Sequence, residues 1–194
     1  MTALENINLT GQFLIAMPSM SDPRFSQTVT FICSHSEDGA MGIVLNRPTK
    51  NRIADLLKQI QLDAIPSPIL KNYVFEGGPV QQERGFVLHV PHLEYDSTIQ
   101  INESIALTTS KDILEAAAKN EAPKKIMVAL GYAGWSPGQI EEEMAMNTWL
   151  NIEAKQNESV HQIIFDAPSH ERFNIAMQIM GLDLSNLSDI AGHA

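Results

Sequence analysis

The pattern richest in chemical potential is Gly134-Trp135-Ser136-Pro137-Gly138. It matches G-x-S-x-G, which sets a nucleophilic serine on a sharp strand-to-helix turn. Asp166 and His170 follow in the Ser, Asp, His order of hydrolases built that way. One residue defeats the match. The oxyanion hole needs the backbone N–H of the residue after the nucleophile, and Pro137 has none. The segment reads better as the start of a helix, with Ser136 at the N-cap, Pro137 at N1 and Gln139 completing a capping box. A phosphate cradle over Gly131–Gly138 fits neither glycine-rich spacing for nucleotides. Glu141, Glu142 and Glu143 would also set negative charge where an anion approaches.

Other constellations are weaker. Cys33 and His35 stand two apart in a strand-like run, on one face, with side chains roughly 6.5–7 Å apart at the usual rise. A lone Cys in such a run is ordinarily a small core hydrophobe. His89 and His92 are three apart across Pro91, near Glu94 and Asp96, whereas helical zinc ligands are spaced four apart. These histidines read as structural or surface groups, so no metal is expected. Glu141–Glu143 reads as a solvated helix face, and Met144, Met146, Met177 and Met180 as core. An acid–base pair from His35, Asp22 or His89 is the remaining enzymatic option. No catalytic residue can be assigned from spacing alone, and the chain reads as a non-enzyme.

The elements that must position these residues begin with strands. Gln12–Met17, Thr28–His35 and Met41–Asn46 are apolar or β-branched runs broken by Pro18, Asp22-Pro23 and Asp38-Gly39. Ile53, Leu56, Leu57 and Ile60 repeat at helical spacing, with Thr49 or Asn51 as N-cap. Strands are expected again at Tyr73–Glu76, Gly85–Val90, Thr98–Ile101 and Ile105–Thr108. A helix capped by Ser110 runs to about Lys119. Lys125–Leu130 reads as a central strand and Ser136–Met146 as a helix. Thr148–Glu153 and Gln162–Phe165 read as strands, before a last helix through Phe173, Ala176, Met177 and Met180. Strands outnumber helices and do not alternate with them. That predicts an α+β fold, a mostly antiparallel, bent, partly barrel-like sheet packed with about four helices.

The chain has 194 residues, and a single domain over 1–194 is expected at this length. The proline-bearing stretches Asp63–Pro68 and Asn120–Pro123 are too short to separate independent domains. Lys plus Arg number 13 against 23 Asp plus Glu, a net charge of −10. A nonspecific nucleic-acid binder makes something like 6–10 cationic phosphate contacts. The pairs Lys50 with Arg52 and Lys124 with Lys125 do not make such a patch, so nucleic acid is an unexpected partner. The single Cys excludes a disulfide framework and a multi-thiolate metal site. No apolar stretch approaches the ~20 residues a bilayer requires. The first ten residues lack the basic region of a signal peptide, which predicts a cytoplasmic protein without a membrane partner.

Polar residues set beside Gly and Pro remain to be explained. They are Ala16-Met17-Pro18-x-Met20 with Asp22 and Phe25, then Gly39-Ala40-Met41-Gly42-Ile43-Val44-Leu45-Asn46-Arg47-Pro48. Glu76-Gly77-Gly78-Pro79-Val80 and Arg84-Gly85-Phe86-Val87-Leu88-His89 follow, and Gly131-Tyr132-Ala133-Gly134-Trp135-x-x-Gly138-Gln139-Ile140-Glu141 completes the set. In this order, from about Gly11 to the end, the set resembles the AlgH/YqgE family of bacterial proteins. The resemblance implies a bent α+β sheet packed with helices and no established activity or cofactor. It also implies a transcriptional-regulator label, tied to alginate control, which the acidic charge does not support as direct DNA binding.

The expectation is a binding or regulatory module, monomeric or weakly self-associating, acting through a protein partner or a small ligand. Its candidate site is Asn46, Arg47, Gly77, Gly78, Arg84, Tyr132, Trp135 and Gln139. Arg47 and Arg84 would supply forked donors, Trp135 a flat anchor, and Asn46 and Gln139 orienting hydrogen bonds. The alternative is that both arginines pair internally with Asp22 or Glu76 and that the glycines only permit tight turns.

Overall fold

The computed structural model describes residues 7–153 and 157–181. In chain order they form β1 (Phe13–Ala16), β2 (Val29–Ser36), β3 (Gly39–Val44), β4 (Pro48–Arg52), α1 (Ile53–Gln59) and a 3₁₀ turn (Pro68–Lys71). Next come β5 (Tyr73–Glu76), β6 (Val80–His89), β7 (Thr98–Gln100), β8 (Ala106–Thr108), α2 (Asp112–Ala118) and β9 (Ile126–Trp135). The remainder is α3 (Gln139–Ala145), β10 (Trp149–Ile152), α4 (Asn157–His161), a π-helical segment (Gln162–Asp166) and α5 (Arg172–Ile179). The fold is mixed α+β with mainly antiparallel pairing, as the early strands and their turn signals predict. The chain divides into two compact units, Met1–Asn46 with Ala133–Ala194 and Arg47–Tyr132. Strand β9 begins in the second and ends in the first.

In the first unit the strand order is β10-β1-β2-β3-β9, every pair antiparallel. Strand β1 lies between β10 and β2, and all four of its residues are buried. That explains its unbroken Phe-Leu-Ile-Ala run, since a strand covered on both faces has no reason to alternate. Leu14, Ile32, Ala133, Trp135, Ile140 and Trp149 pack into one core. Trp149 meets Trp135 and Phe25 edge-to-face, at 5.9 and 5.7 Å between ring centres. Such aromatic pairs contribute roughly 0.5–1.5 kcal/mol beyond the area they bury.

In the second unit β7-β8-β6-β9 pair antiparallel, β5 runs parallel to β9, and β4 pairs antiparallel with β5. Helices α1 and α2 cover a core of Ile53, Leu57, Val74, Ile113 and Val128. Gly77 marks a close crossing of backbones. A Cβ there would stand 2.3 Å from the Gly131 carbonyl oxygen and 3.0 Å from the Ala129 Cβ. Its N–H donates to the Leu130 carbonyl at 2.8 Å.

Several elements depart from the sequence reading. Residues 48–52 form a strand rather than a capping loop, so Arg52 holds the N-cap of α1 and its N–H donates to the Asp55 carboxylate at 2.8 Å. Gln162–Phe165, read as a strand, is π-helical: the Ala167 N–H reaches back five residues to the Gln162 carbonyl at 2.8 Å. A three-residue apolar run has no period of its own, and here the His161 and Phe165 rings, four apart, meet edge-to-face at 5.7 Å. Helix α3 starts at Gln139 behind a left-handed Gly138 (φ 78°), not at Ser136. One half of the expected capping contact survives, as Gln139 Oε1 accepts the Ser136 N–H at 2.9 Å. Counting α4, the described residues hold five α-helices against the four expected.

Gly77→Ala should cost about 1–3 kcal/mol in urea unfolding, the usual penalty of overpacking. Gly85 has open space where a Cβ would stand, so Gly85→Ala should be neutral or stabilise by up to ~1 kcal/mol. Equal effects would contradict the backbone crossing.

Candidate functional site

The bulge between Ile32 and Ser34 in β2 breaks the strict alternation of that strand. Cys33 is buried, and burial pushes its thiol far above the ordinary range, so no thiolate forms there. His35, two residues on, has a side chain only 5% exposed and lies against Glu141 of α3, with Nε2 2.9 Å from Oε1. The other ring nitrogen, Nδ1, accepts the Leu9 N–H at 3.1 Å. An acceptor nitrogen carries no proton, so the ring is the neutral Nε2–H tautomer and donates to Glu141. The Thr10 hydroxyl oxygen accepts the His35 backbone N–H at 3.0 Å, which fixes the strand beneath the ring.

Glu141 has its second oxygen, Oε2, shielded from solvent without a hydrogen-bond partner, although the side chain as a whole is 31% exposed. The pair borders an open cleft of about 280 Å³. Asn8, Ser36, Glu37 and Gly138 form the rest of its polar lining and Ile7 its apolar wall. A carboxylate oxygen out of water and unpaired costs about 1–3 kcal/mol, more for a charged group, until a donor reaches it. Among the described residues one donor serves its two oxygens.

Two residues along α3, Glu143 is fully engaged. Its Oε2 accepts both indole N–H groups, from Trp135 at 3.0 Å and Trp149 at 2.8 Å, and its Oε1 accepts the Gln139 amide at 2.9 Å. The solvated acidic face expected over 141–143 is therefore reduced to Glu142, the exposed member. This also corrects the expectation for Trp135. It is 7% exposed and spends its one polar group on Glu143, so it cannot be a flat anchor for a partner. Gln139 likewise bonds internally through both ends of its amide.

The other expected site residues are placed as follows. Asn46 staples a loop, its Oδ1 accepting the Val29 N–H at 3.0 Å and its Nδ2 donating to the Gln27 carbonyl at 2.9 Å. The Arg47 carbonyl accepts the Glu76 N–H at 2.8 Å. Arg84 donates to Gln81 Oε1 at 3.4 Å and Thr109 Oγ1 at 3.2 Å, and lies 5.7 Å over the Phe86 ring. Tyr132 packs on the same ring at 5.3 Å. The Gly78 carbonyl stands 2.4 Å from where a Gly131 Cβ would be. Arg84, Tyr132, Gly77 and Gly78 thus meet neighbours of the second unit, while Trp135 and Gln139 meet around Glu143 in the first. Asp22 bonds Arg24 at 2.6 Å, and that hydrogen bond holds its carboxyl below the usual range.

His89 is fully buried, with Nδ1 2.8 Å from the Val90 carbonyl and Nε2 2.8 Å from Thr108 Oγ1. The carbonyl can only accept, so Nδ1 carries the proton and Nε2 takes the Thr108 hydroxyl hydrogen. Desolvation pulls its pKa below the ordinary histidine value. Among the described residues no three His, Cys, Asp or Glu side chains converge as metal ligands. No helix among them is long and apolar enough to cross a membrane.

Fold and site together define an α+β protein in which a half-buried His–carboxylate pair borders a cleft. The profile of the AlgH-like family matches residues 13–185, and the chain belongs to that family. A UPF0301 protein of Thiobacillus denitrificans is 50% identical over 191 residues, covering 98% of this chain and all of the relative. One from Nitrosospira multiformis is 47% identical over the same shares. The solution structure of AlgH from Pseudomonas aeruginosa superposes with a TM-score of 0.77 at 44% identity, each chain covered completely. A Corynebacterium diphtheriae protein solved by X-ray crystallography shares the fold at a TM-score of 0.67 and 20% identity, covering 94% of this chain and 91% of its own.

Two predictions follow from these bonds. Glu143→Ala strands two indole donors, which should cost about 1–3 kcal/mol for each in chemical unfolding; Glu142→Ala should be near neutral. His89 has a folded pKa below its unfolded value of 6.5, so the unfolded chain binds the extra proton. Its contribution is fully present above about pH 6.5 and is lost as pH falls toward the folded pKa. Relative to His89→Gln, the parent's unfolding free energy should therefore drop between pH 7.5 and 5. A constant difference would contradict the assignment.

Proposed function

We propose that this chain is a non-enzymatic binding module with a regulatory role in the cytoplasm, acting through a ligand or partner segment held in the His35–Glu141 cleft. The observation that carries the reading is the Glu141 carboxylate, shielded on one oxygen and supplied with a single donor. A recognition site leaves such a group for its ligand to complete. The groups the sequence offered for chemistry are already committed. His35 and His89 each bond through both ring nitrogens, and Cys33 is a buried thiol. A general base needs a free lone pair facing its substrate. The net charge of −10 and the acidic lining disfavour nucleic acid.

The test compares the parent with Glu141→Ala and Glu142→Ala, both on α3. Thermal shift against a metabolite library and affinity capture from native lysate are read side by side. The expected result is a ligand shift or a stoichiometric partner that Glu141→Ala loses and Glu142→Ala keeps. Retention of every ligand and partner by a folded Glu141→Ala protein would overturn the proposal.

A further inference from the structure

We infer, independently of the cleft, that the outer edge of β7 pairs antiparallel with the same edge of a second copy of this chain, about a two-fold axis at Ile99. Strand β7 ends the strand order, with β8 on one side and no strand on the other among the described residues. Its pairing with β8 continues past both ends of the strand. The Thr109 N–H donates to the Ser97 carbonyl and the Ile101 N–H to the Ile105 carbonyl, both at 3.0 Å. Residues 97, 99 and 101 therefore turn their backbone groups toward β8, and alternation turns the N–H and C=O of Thr98 and Gln100 outward. All of β7 is exposed, Ile99 at 56%. Such an edge is a template for another strand, and proteins usually blunt it. Among the described residues β4 pairs only with β5 and shows how. Pro48 has no N–H, Thr49 Oγ1 takes the Asn51 N–H at 3.1 Å, the Asp55 carboxylate takes that of Arg52, and Lys50 adds charge. Residues 97–102 carry no charge, proline or glycine.

Two-fold symmetry and the hydrogen bonds beside the strand select one register. Pairing Thr98 with itself would set Asp96 against Gln100, but the Asp96 N–H already donates to the Asp112 carboxylate at 2.7 Å. Pairing Gln100 with itself would set Asn102 against Thr98. There the Asn102 N–H already donates to the Ile105 carbonyl at 3.2 Å, and the Asn102 carbonyl accepts the Gln100 side-chain amide. Pairing Thr98 with Gln100 of the second copy meets neither obstacle. Each exchanges both backbone bonds with the other. Ile99 then faces Ile99 at a non-hydrogen-bonded position, where Cα atoms approach to about 4.5 Å and side chains touch. The same register sets Asp96 against Asn102 and Glu103 against Tyr95, so no like charges stand directly opposite, although each copy carries a net charge of −10. An edge this short makes a weak, reversible dimer at the low end of interface sizes.

The test is sedimentation velocity of the full chain at rising concentration, beside Ile99→Lys, Gln100→Pro and Ile65→Lys. Ile99→Lys sets two cations opposite each other on the two-fold axis. Gln100→Pro removes an outward donor that β8 does not use, so the ladder within the chain is kept. Ile65 is as bare as Ile99, at 58% exposed, and lies beside the end of α2 instead. The parent and Ile65→Lys should both show a monomer–dimer equilibrium. It should weaken at least about tenfold in each edge variant, equivalent to losing about two backbone hydrogen bonds. Circular dichroism verifies folding, and if one edge variant has lost its fold the other decides. In a mixture of ¹³C-labelled and unlabelled chains, intermolecular nuclear Overhauser contacts should join Ile99 methyl groups of the two copies. A parent that stays monomeric at every concentration would overturn the proposal and leave the edge to a strand of another protein. A dimer that the folded edge variants keep, or intermolecular contacts confined to other residues, would overturn it as well.

Discussion

Two carboxylates on one seven-residue helix have to be paired before the first unit can close. Glu143 and one oxygen of Glu141 leave bulk water when α3 packs on its sheet, and a buried charge left unpaired is costly. The donors come from separate strands. β2 supplies the His35 imidazole, the end of β9 the Trp135 indole, and β10 the Trp149 indole. A helix this short gains little from its own backbone. Its position therefore rests on these bonds and on buried Ile140. The difference between the two carboxylates is the functional point, since Glu143 is saturated and Glu141 is not.

The arrangement also separates groups that stabilise from groups that can act. The Glu143 cage and the His89–Thr108 chain satisfy every polar atom they bury, the condition under which an interior polar network adds rigidity rather than strain. Thr98 continues that chain, its hydroxyl 2.8 Å from the Thr108 oxygen. At the cleft one oxygen is left over, and the histidine that would be the obvious base in a bare sequence works instead as a clamp. The Leu9 N–H fixes the ring through Nδ1, and Nε2 holds the carboxylate the way an orienting acid usually fixes a catalytic imidazole, with the roles exchanged.

Much of the fold was legible because local signals agreed with it. The apolar runs of β1, β2 and β9 and the helical spacing of Ile53, Leu57 and Ile60 are each strong alone. The 162–166 segment was not, because three apolar residues fit either period. The site was legible only in part. Trp135, Gln139 and Glu141 sit together in the closing motif, which marked the right stretch of chain. Nothing in the sequence ties Glu141 to His35, 106 positions away, and three consecutive glutamates look like a wet helix face. Indole and imidazole N–H groups, unlike Lys and Arg, leave no charge pattern by which to find their partners. The sequence-derived role for Trp135 failed for the same reason: a large aromatic beside glycines looks exposed until its N–H finds an acceptor.

His35 serves as a donor to Glu141 and not as a base. Long-range ¹H–¹⁵N correlation of the His35 ring in the ligand-free protein tests it directly. The expected spectrum is that of a ring protonated at Nε2, with Nδ1 bare and coupled through its hydrogen bond to the Leu9 amide. A ring protonated at Nδ1, or one exchanging between tautomers as a solvent-exposed imidazole does, would contradict it.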